Sequence, residues 1–253
     1  MRYQFIRTER DNRVETIAFN RPEAMNAFTP ALLSELIAAL DDAAQDRDCA
    51  CVVLEGEGRA FSAGVDLKLL QRATFSAGRV DNVFGETAAA AADRLRAHPL
   101  PVIAKVHGFC FTGALEIALH CDFILTTDDT KFGDTHARWG LRPSWGMSQN
   151  LARAVGVRRA RELSFAAAAF SGEDAAQWGL ANASFPDKET LDAETAARAE
   201  AVAEGSREAI AAYKDLYRLH EEYRPLSEAL REEVRRDYPG ITDTADRLKG
   251  FGG

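Results

Sequence analysis

The sequence predicts an α/β fold. Along residues 14–126, short apolar segments typical of buried strands alternate with longer segments whose apolar residues recur at helical spacing. Strands that alternate with helices pair in parallel, because a crossover helix brings the chain back to the same end of the sheet. The 253 residues are 46% hydrophobic and 28% charged, which supports one sizeable core and excludes disorder of the whole chain.

Individual elements follow from the same patterns. The predicted strands cover residues 14–19, 50–54, 102–106 and 122–126. The predicted helices cover residues 30–44, 83–97 and 113–120. Thr29 is the expected N-cap of the first helix, because its hydroxyl can accept a hydrogen bond from an unpaired amide of the first turn. Residues 74–82 show no periodicity, and we expect them to be mobile.

From residue 188 to residue 249 the pattern is almost wholly helical. Pro225 and Pro239 are the expected breaks, because proline has no amide hydrogen for the helical ladder. The apolar side of these helices is formed by Leu216, Leu219, Leu226, Leu230 and Val234. We therefore predict a core over residues 1–187 and a helical region over residues 188–253 that packs on the core or on a neighbouring subunit.

Charge and composition exclude several classes of function. Lys and Arg total 31 while Asp and Glu total 39, and a net charge of −8 does not favour binding to RNA, DNA or an anionic membrane. No apolar run has the length of a membrane span and no signal peptide is recognised, so we expect a soluble, cytoplasmic protein. The four cysteines lack metal-ligand spacing, and we expect buried free thiols and no metal site. Phosphate-binding glycine motifs of dehydrogenases and kinases do not occur in the right context.

Two glycine-containing turns carry the first chemical signal. Residues 61–68 read FSAGVDLK and residues 108–116 read GFCFTGALE, and each leads from a predicted strand into a helix. The first amides of a helix lack an internal partner and carry the positive end of its dipole. The amides of Val65 and Gly113 would form an oxyanion hole if they converge, although glycine at such a turn can also be purely geometric.

Glu116 is the second signal. It lies on a predicted helix whose neighbouring residues are Ala114, Leu115, Ile117 and Ala118. Burial of a carboxylate is costly unless it is paired or functional, and desolvation raises its pKa toward the range useful for proton transfer. The alternative is an ordinary helix glutamate that faces solvent or a salt-bridge partner.

Three motifs in this order resemble the crotonase superfamily, also called the enoyl-CoA hydratase/isomerase family. They are Asn-Arg-Pro followed by Asn-Ala within residues 20–27, FSAGVDL at residues 61–67, and Gly, Glu, Ala and Cys-Asp within residues 113–122. The resemblance covers most of residues 5–186. It implies a spiral of ββα turns followed by a helical trimerisation region, with assembly into trimers or dimers of trimers.

The resemblance also implies acyl-CoA chemistry. Val65 and Gly113 match the residues whose amides hold the thioester oxygen and stabilise its enolate, and Glu116 matches the first of two catalytic glutamates of the hydratases. The segments that line the coenzyme A path contain Ala24, Ala27, Ala63, Asp66, Leu67 and Lys68. Arg21 and Lys68 are candidates to meet phosphates, with plain surface residues as the alternative. Coenzyme A enters as part of the substrate, and no separate cofactor is implied.

The sequence departs from the family at the second glutamate, where His136 stands within FGDTHARWG. His136 can replace that glutamate in proton transfer, because imidazole titrates near neutrality. It can instead position Glu116 or a water, or it can be a structural histidine bonded to Asp134 or Arg138. If the segment is extended, the Asp134 side chain points away from His136. Thr112 and Ala114 replace glycines that usually flank Gly113.

The expected reaction is the reversible hydration of a 2-enoyl-CoA. The Val65 and Gly113 amides would polarise the thioester, Glu116 would activate the water, and Glu116 or His136 would handle the proton at C2. A 3,2-enoyl-CoA isomerase, a decarboxylase or a C–C lyase stays open, because these reactions share the enolate, and so does a non-catalytic acyl-CoA-binding protein. Candidates for the walls of an acyl pocket, with core packing as the alternative for the tryptophans, are Trp139, Trp145, Phe75 and Phe84.

Overall fold

The computed structural model of the chain describes residues 3–76, 78–80, 83–221 and 225–244. The strands of this part are β1 (Ile6–Asp11), β2 (Val14–Phe19), β3 (Cys51–Gly56), β4 (Phe75–Ser76), β5 (Arg79–Val80), β6 (Val102–Val106), β7 (Phe109–Phe111), β8 (Phe123–Thr127), β9 (Lys131–Gly133), β10 (Ala169–Ser171) and β11 (Ala183–Phe185). The α-helices are α1 (Pro30–Gln45), α2 (Leu67–Leu70), α3 (Thr87–Ala97), α4 (Gly113–Ala118), α5 (Met147–Val155), α6 (Val157–Ala166), α7 (Gly172–Gln177), α8 (Lys188–Ala203), α9 (Arg207–Glu221) and α10 (Leu226–Arg235). The predicted α/β class is confirmed.

The main sheet has the strand order β1-β2-β3-β6-β8-β11. β1 pairs with β2 antiparallel, and every other neighbouring pair in this sheet is parallel, as the alternation of strands and helices predicts. The central strands β3 and β6 are buried almost throughout, because helices cover both faces of the sheet.

The core lies on both faces of this sheet. On one face, α1 buries four leucines, which are Leu32, Leu33, Leu36 and Leu40. Thr29 caps this helix as predicted, since its hydroxyl accepts a hydrogen bond from the Leu32 amide at 3.2 Å. On the opposite face, Leu191 and Ala199 of α8 pack against a second cluster that contains Ile103.

A second sheet of β10, β9 and β7 positions the two glycine turns. β7 leads directly into α4, and a bridge between Ser62 and Cys110 joins the first turn to β7. A further bridge pairs Phe28 with Val65 on the other side of that turn. The two glycine turns are therefore neighbours although about 50 residues separate them in sequence.

Several elements differ from the sequence-based prediction, mostly by one or two residues at an end, and the differences nearest the site have local causes. α3 begins at Thr87 rather than at residue 83, because Gly85 has a φ of +51° and interrupts the helix before it. α4 ends at Ala118, since the His120 amide bonds to the carbonyl three residues back and tightens the last turn. Within residues 74–82, β4 and β5 form a short antiparallel pair, and residues 77, 81 and 82 lie outside the described residues.

The C-terminal helices are joined by a charge cluster. The Asp215 carboxylate of α9 accepts hydrogen bonds from Arg218, Arg236 and Tyr238, so the segment after α10 is tied back to α9. Of the predicted apolar side, Leu219 is buried, whereas Leu226, Leu230 and Val234 are largely exposed. Residues 245–249 of the predicted helical pattern lie outside the described residues.

Among the helices of the described ranges, none combines the length and the apolar character that crossing a bilayer requires.

Candidate active site

A pocket of about 830 Å³ opens beside the two glycine turns. Its walls include Val65 from the first turn, Thr112 and Glu116 from the second turn and its helix, and His136 and Trp145 from the segment after β9. Residues from three separate regions of sequence therefore meet at one cavity of a size that suits a small-molecule ligand.

The two glycine turns pack against each other at the pocket. A Cβ atom on Gly64 would lie 2.5 Å from the Phe111 carbonyl oxygen and 2.5 Å from Thr112 Oγ1. A Cβ atom on Gly113 would lie 3.3 Å from Val65 Cγ2. Within the described residues, neither the Val65 amide nor the Gly113 amide has a hydrogen-bond acceptor. Both amides are therefore available to a ligand.

Gly64 is the residue on which this close packing depends, and Gly64→Ala is expected to destabilise the fold. Its φ is +90°, so an alanine would be strained by about 1–3 kcal/mol before its two close contacts are considered. Gly156→Ala is the matched control, because Gly156 has a φ of +79° and nothing within 4 Å of the added Cβ. Chemical denaturation should show a larger loss of unfolding free energy for Gly64→Ala, and equal losses would contradict the importance of the contact.

Glu116 is buried, with 2% of its surface exposed. Its Oε1 accepts hydrogen bonds from the backbone amides of Trp145 at 2.9 Å and Met147 at 3.1 Å. Burial raises the pKa of Glu116, and the opposing effects of His136 and the two amides are smaller. The predicted burial of the Glu116 carboxylate is confirmed. The two hydrogen bonds to Oε1 offset part of the free-energy cost of removing this carboxylate from water.

The other oxygen of Glu116 faces His136. Glu116 Oε2 lies 3.7 Å from His136 Nε2, a distance that places the groups beside each other without a direct hydrogen bond. The second ring nitrogen, Nδ1, lies 2.6 Å from Asp134 Oδ1. The imidazole therefore lies between two buried carboxylates.

The expectation that Asp134 points away from His136 is wrong. His136 has φ −54° and ψ −48°, so the segment turns into a short 3-10 helix at Ala137–Trp139 instead of continuing as a strand. In this turn Asp134 Oδ1 also accepts a hydrogen bond from the His136 backbone amide at 3.2 Å. The Arg138 guanidinium, the other partner considered for His136, instead donates to the Ala167 carbonyl.

The charges in this group stabilise a protonated imidazole. Burial lowers the pKa of His136, but the hydrogen bond to Asp134 and the negative charges of Glu116 and Asp134 outweigh it and raise the pKa overall. Burial raises the pKa of Asp134, yet hydrogen bonds from His136 and Ser164 outweigh it and lower the pKa. Asp134 is thus the carboxyl group that stays ionised and orients His136, and Glu116, with its raised pKa, is the carboxylate that more readily accepts a proton.

The residues predicted to line a coenzyme A path all line the same pocket. They are Ala24, Ala27, Ala63, Asp66, Leu67 and Lys68. Arg21 also lies in the wall, where its guanidinium bonds to Asp66 at 3.1 Å and to the Ala27 carbonyl. These two contacts fix the position of the Arg21 guanidinium, and the Asp66 carboxylate partly balances its charge.

The aromatic candidates occupy different positions. Trp145 and Phe84 both line the pocket and pack edge to face, with ring centroids 5.0 Å apart. Trp139 lines the pocket as well, but it is 60% exposed, so core packing does not explain it. The Phe75 side chain lies outside the described part of the structure.

Sequence reasoning missed the donors that hold Glu116. The amides of Trp145 and Met147 are backbone groups, and no residue type marks them in a sequence. The only hint is Gly146 between them, whose φ of +110° turns both amides toward one oxygen. Across the ranges that the structure describes, no cluster of three or more potential metal ligands occurs.

Comparisons with known proteins identify the family. A family model described as enoyl-CoA hydratase/isomerase matches residues 9–251. The chain belongs to this family and hence to the crotonase superfamily, which confirms the resemblance and makes the protein a crotonase-type enzyme.

Individual relatives align with this chain over nearly its full length. A probable enoyl-CoA hydratase of Mycobacterium bovis is 32% identical over 252 residues, which cover 99% of this chain and 95% of the relative. One of Rhizobium meliloti is 34% identical over 251 residues, with coverages of 99% and 95%. The crystal structure of an enoyl-CoA hydratase from Bacillus anthracis has a TM-score of 0.88 at 29% identity and covers 98% of this chain and 94% of its own. The spiral core with a helical C-terminal region is thereby confirmed as the fold.

Proposed function

We propose that the protein is an enoyl-CoA hydratase, which adds water reversibly across the double bond of a 2-enoyl-CoA. The observation that carries the proposal is the buried pair of Glu116 and His136, whose facing atoms are 3.7 Å apart at a pocket with two unpaired amides. The hydratase names of the relatives from Mycobacterium bovis and Rhizobium meliloti support the same reaction.

Binding of the thioester is the first step of the proposed reaction. The amides of Val65 and Gly113 donate to the thioester oxygen and draw electron density from the double bond, which makes C3 electrophilic. Coenzyme A lies along the wall formed by the segments around Ala24 and Ala63, and Lys68, which lines the same pocket, binds one of its phosphates. Coenzyme A is part of the substrate, and the proposed reaction uses no additional cofactor.

Proton transfer is divided between the two facing groups. The Glu116 carboxylate removes a proton from water, and the resulting hydroxide forms the new C–O bond at C3. The electrons of the double bond move to the thioester oxygen and give an enolate. His136, protonated and oriented by Asp134, then delivers a proton to C2, so one water is added to the substrate. Glu116 is then protonated and His136 neutral, and transfer of the Glu116 proton to the facing His136 Nε2 restores both groups for the next turnover.

Two acid–base groups favour a hydratase over an isomerase. An isomerase moves one proton between C2 and C4 and needs a single base, whereas addition of water needs a base at C3 and an acid at C2. A hydratase-lyase is the second candidate, because a hydroxycinnamoyl-CoA hydratase-lyase of Pseudomonas fluorescens is 32% identical over 187 residues, 73% of this chain and 68% of that protein. Its first step would be the same addition of water.

The helical region 188–253 is proposed to support a homotrimer or a dimer of trimers. Leu226 is 74% exposed and Val234 is 87% exposed, and both lie on α10. Exposed apolar side chains of this kind are stabilised when a second copy covers them. The core 1–187 then contains the proposed catalytic residues.

Turnover assays with purified protein test the reaction. Crotonyl-CoA and longer 2-enoyl-CoA thioesters should lose their conjugated absorbance and yield the 3-hydroxyacyl-CoA, and 3-hydroxyacyl-CoA should give the reverse reaction. A 3-enoyl-CoA should be converted much more slowly. If 3-enoyl-CoA is the only thioester that reacts, the protein is an isomerase, and an aldehyde released from a hydroxycinnamoyl thioester would instead identify the lyase.

A further inference from the structure

Thr112 adopts a backbone conformation that β-branched residues avoid. Its φ is +45° and its ψ is −111°, a combination for which glycine is the usual residue. The Thr112 amide donates to the Gly133 carbonyl at 2.9 Å, and its carbonyl accepts from the Glu116 amide at 2.9 Å. Strain persists where its surroundings hold it on both sides, and it is concentrated at functional sites. The strained backbone of Thr112 therefore points to a functional role for its side chain.

The Thr112 side chain lies at the junction of the two glycine turns. It lines the pocket, and its Oγ1 fills the space where a Cβ of Gly64 would be, at 2.5 Å. Gly64 directly precedes Val65, and Thr112 directly precedes Gly113. The Thr112 hydroxyl thus lies beside Gly64, the residue before Val65, and belongs to the residue before Gly113. Within the described ranges no residue forms a hydrogen bond with it.

We propose that the Thr112 hydroxyl is a third donor of the oxyanion hole, acting on the thioester oxygen beside the Val65 and Gly113 amides. The inference rests on the proposed function only in taking a coenzyme A thioester as the ligand. An enolate oxygen accepts hydrogen bonds more strongly than a neutral thioester oxygen, so the added donor favours the enolate. A glycine would relieve the backbone strain but would leave this position without a donor.

Binding experiments test the hydroxyl without depending on turnover. Acetoacetyl-CoA can bind as an enolate, with its C2 proton released to the buffer, whereas butyryl-CoA binds as a neutral thioester. Thr112→Val removes the hydroxyl and keeps the side-chain shape, and it should weaken enolate binding by about 10- to 100-fold, the range for a hydrogen bond to a charged group. Affinity for butyryl-CoA should change much less.

Two further variants separate a hydroxyl effect from a structural one. Thr112→Ser should restore enolate binding, because it keeps the donor. Thr112→Gly should unfold at a temperature about 2–6 °C higher than the wild type, because strain is relieved, and yet bind the enolate as weakly as the valine variant. Thr8→Val on β1, remote from the pocket, is the matched control and should leave both affinities unchanged.

The outcomes distinguish this inference from the hydratase proposal. Enolate binding by Thr112→Val equal to that of the wild type overturns the role of the hydroxyl, whether or not the enzyme hydrates crotonyl-CoA. A wild-type protein that binds acetoacetyl-CoA as its enolate but hydrates no 2-enoyl-CoA overturns only the hydratase proposal. Enolate binding by Thr112→Val, compared with the wild type, then still tests the role of the hydroxyl. Failure of the wild type to bind either thioester overturns both.

Discussion

Glu116→Gln is expected to lower kcat for hydration of crotonyl-CoA by about 10²- to 10⁴-fold, the range for loss of a general base. Glutamine has nearly the same shape, and its amide oxygen can still accept hydrogen bonds from the Trp145 and Met147 amides. It cannot remove a proton from water. The expected result is therefore a loss of kcat with little change in affinity for the thioester.

Unfolding does not explain such a loss. Because burial raises the pKa of Glu116, the ionised form is less favourable in the folded protein than in the unfolded chain, and a neutral glutamine removes this penalty. The variant should therefore unfold at the same temperature as the wild type or a higher one. Stopped-flow loss of enoyl absorbance and thermal unfolding measure the two properties separately.

Glu35→Gln provides a matched control. Glu35 on α1 also accepts backbone hydrogen bonds, from Gln4 and from Phe5, but it lies outside the pocket. It should retain wild-type kcat. Hydration by Glu116→Gln at the wild-type rate would remove Glu116 from the mechanism, whatever the control shows.

The parts of the fold that local patterns determine were predictable from sequence. β2 and β6 have the predicted bounds, because apolar runs and alternation depend only on adjacent residues. The N-cap of α1 at Thr29 was predictable for the same reason. Pairing of the two glycine turns was predicted from their shared type and from the family resemblance, and the bridge between Ser62 and Cys110 brings the turns together.

The chemistry of the site depends on geometry that residue types do not encode. The position of Asp134 was wrong in the prediction because a turn, and not a strand, follows β9. The donors to Glu116 are backbone amides about 30 residues away, which only the folded chain brings near. Thr112 was recognised as a replaced glycine, but its positive φ is visible only in the structure.

The pH profile of kcat/KM should be bell-shaped, because hydration needs Glu116 ionised and His136 protonated. Burial raises the pKa of Glu116, so activity should fall with decreasing pH through a value above the ordinary 4.5 of a glutamate. Burial lowers the pKa of His136, but Asp134 and Glu116 together raise it overall. Activity should therefore fall with increasing pH through a value above 6.5.

Two substitutions assign the alkaline side of this profile. His136→Gln should lower kcat by about 10²-fold and remove the decrease at high pH, because glutamine does not titrate. Asp134→Asn should keep the decrease but shift it to lower pH, since it removes the hydrogen bond and the charge that raise the pKa of His136. His220→Gln, on α9 and away from the pocket, is the control and should reproduce the wild-type profile.

Unfolding experiments should show the same coupling between His136 and Asp134. His136 has a folded-state pKa above 6.5, so its stabilising effect is complete below pH 6.5 and is lost as pH rises through the folded value. The lowered pKa of Asp134 stabilises the fold above pH 3.8, and this effect is lost as pH falls through the folded value. Asp134→Asn should reduce both dependences. The activity profile supplies the decisive outcome. If the decrease in kcat/KM at high pH is unchanged in His136→Gln, His136 is not the proton donor, and Asp134 has only a structural role.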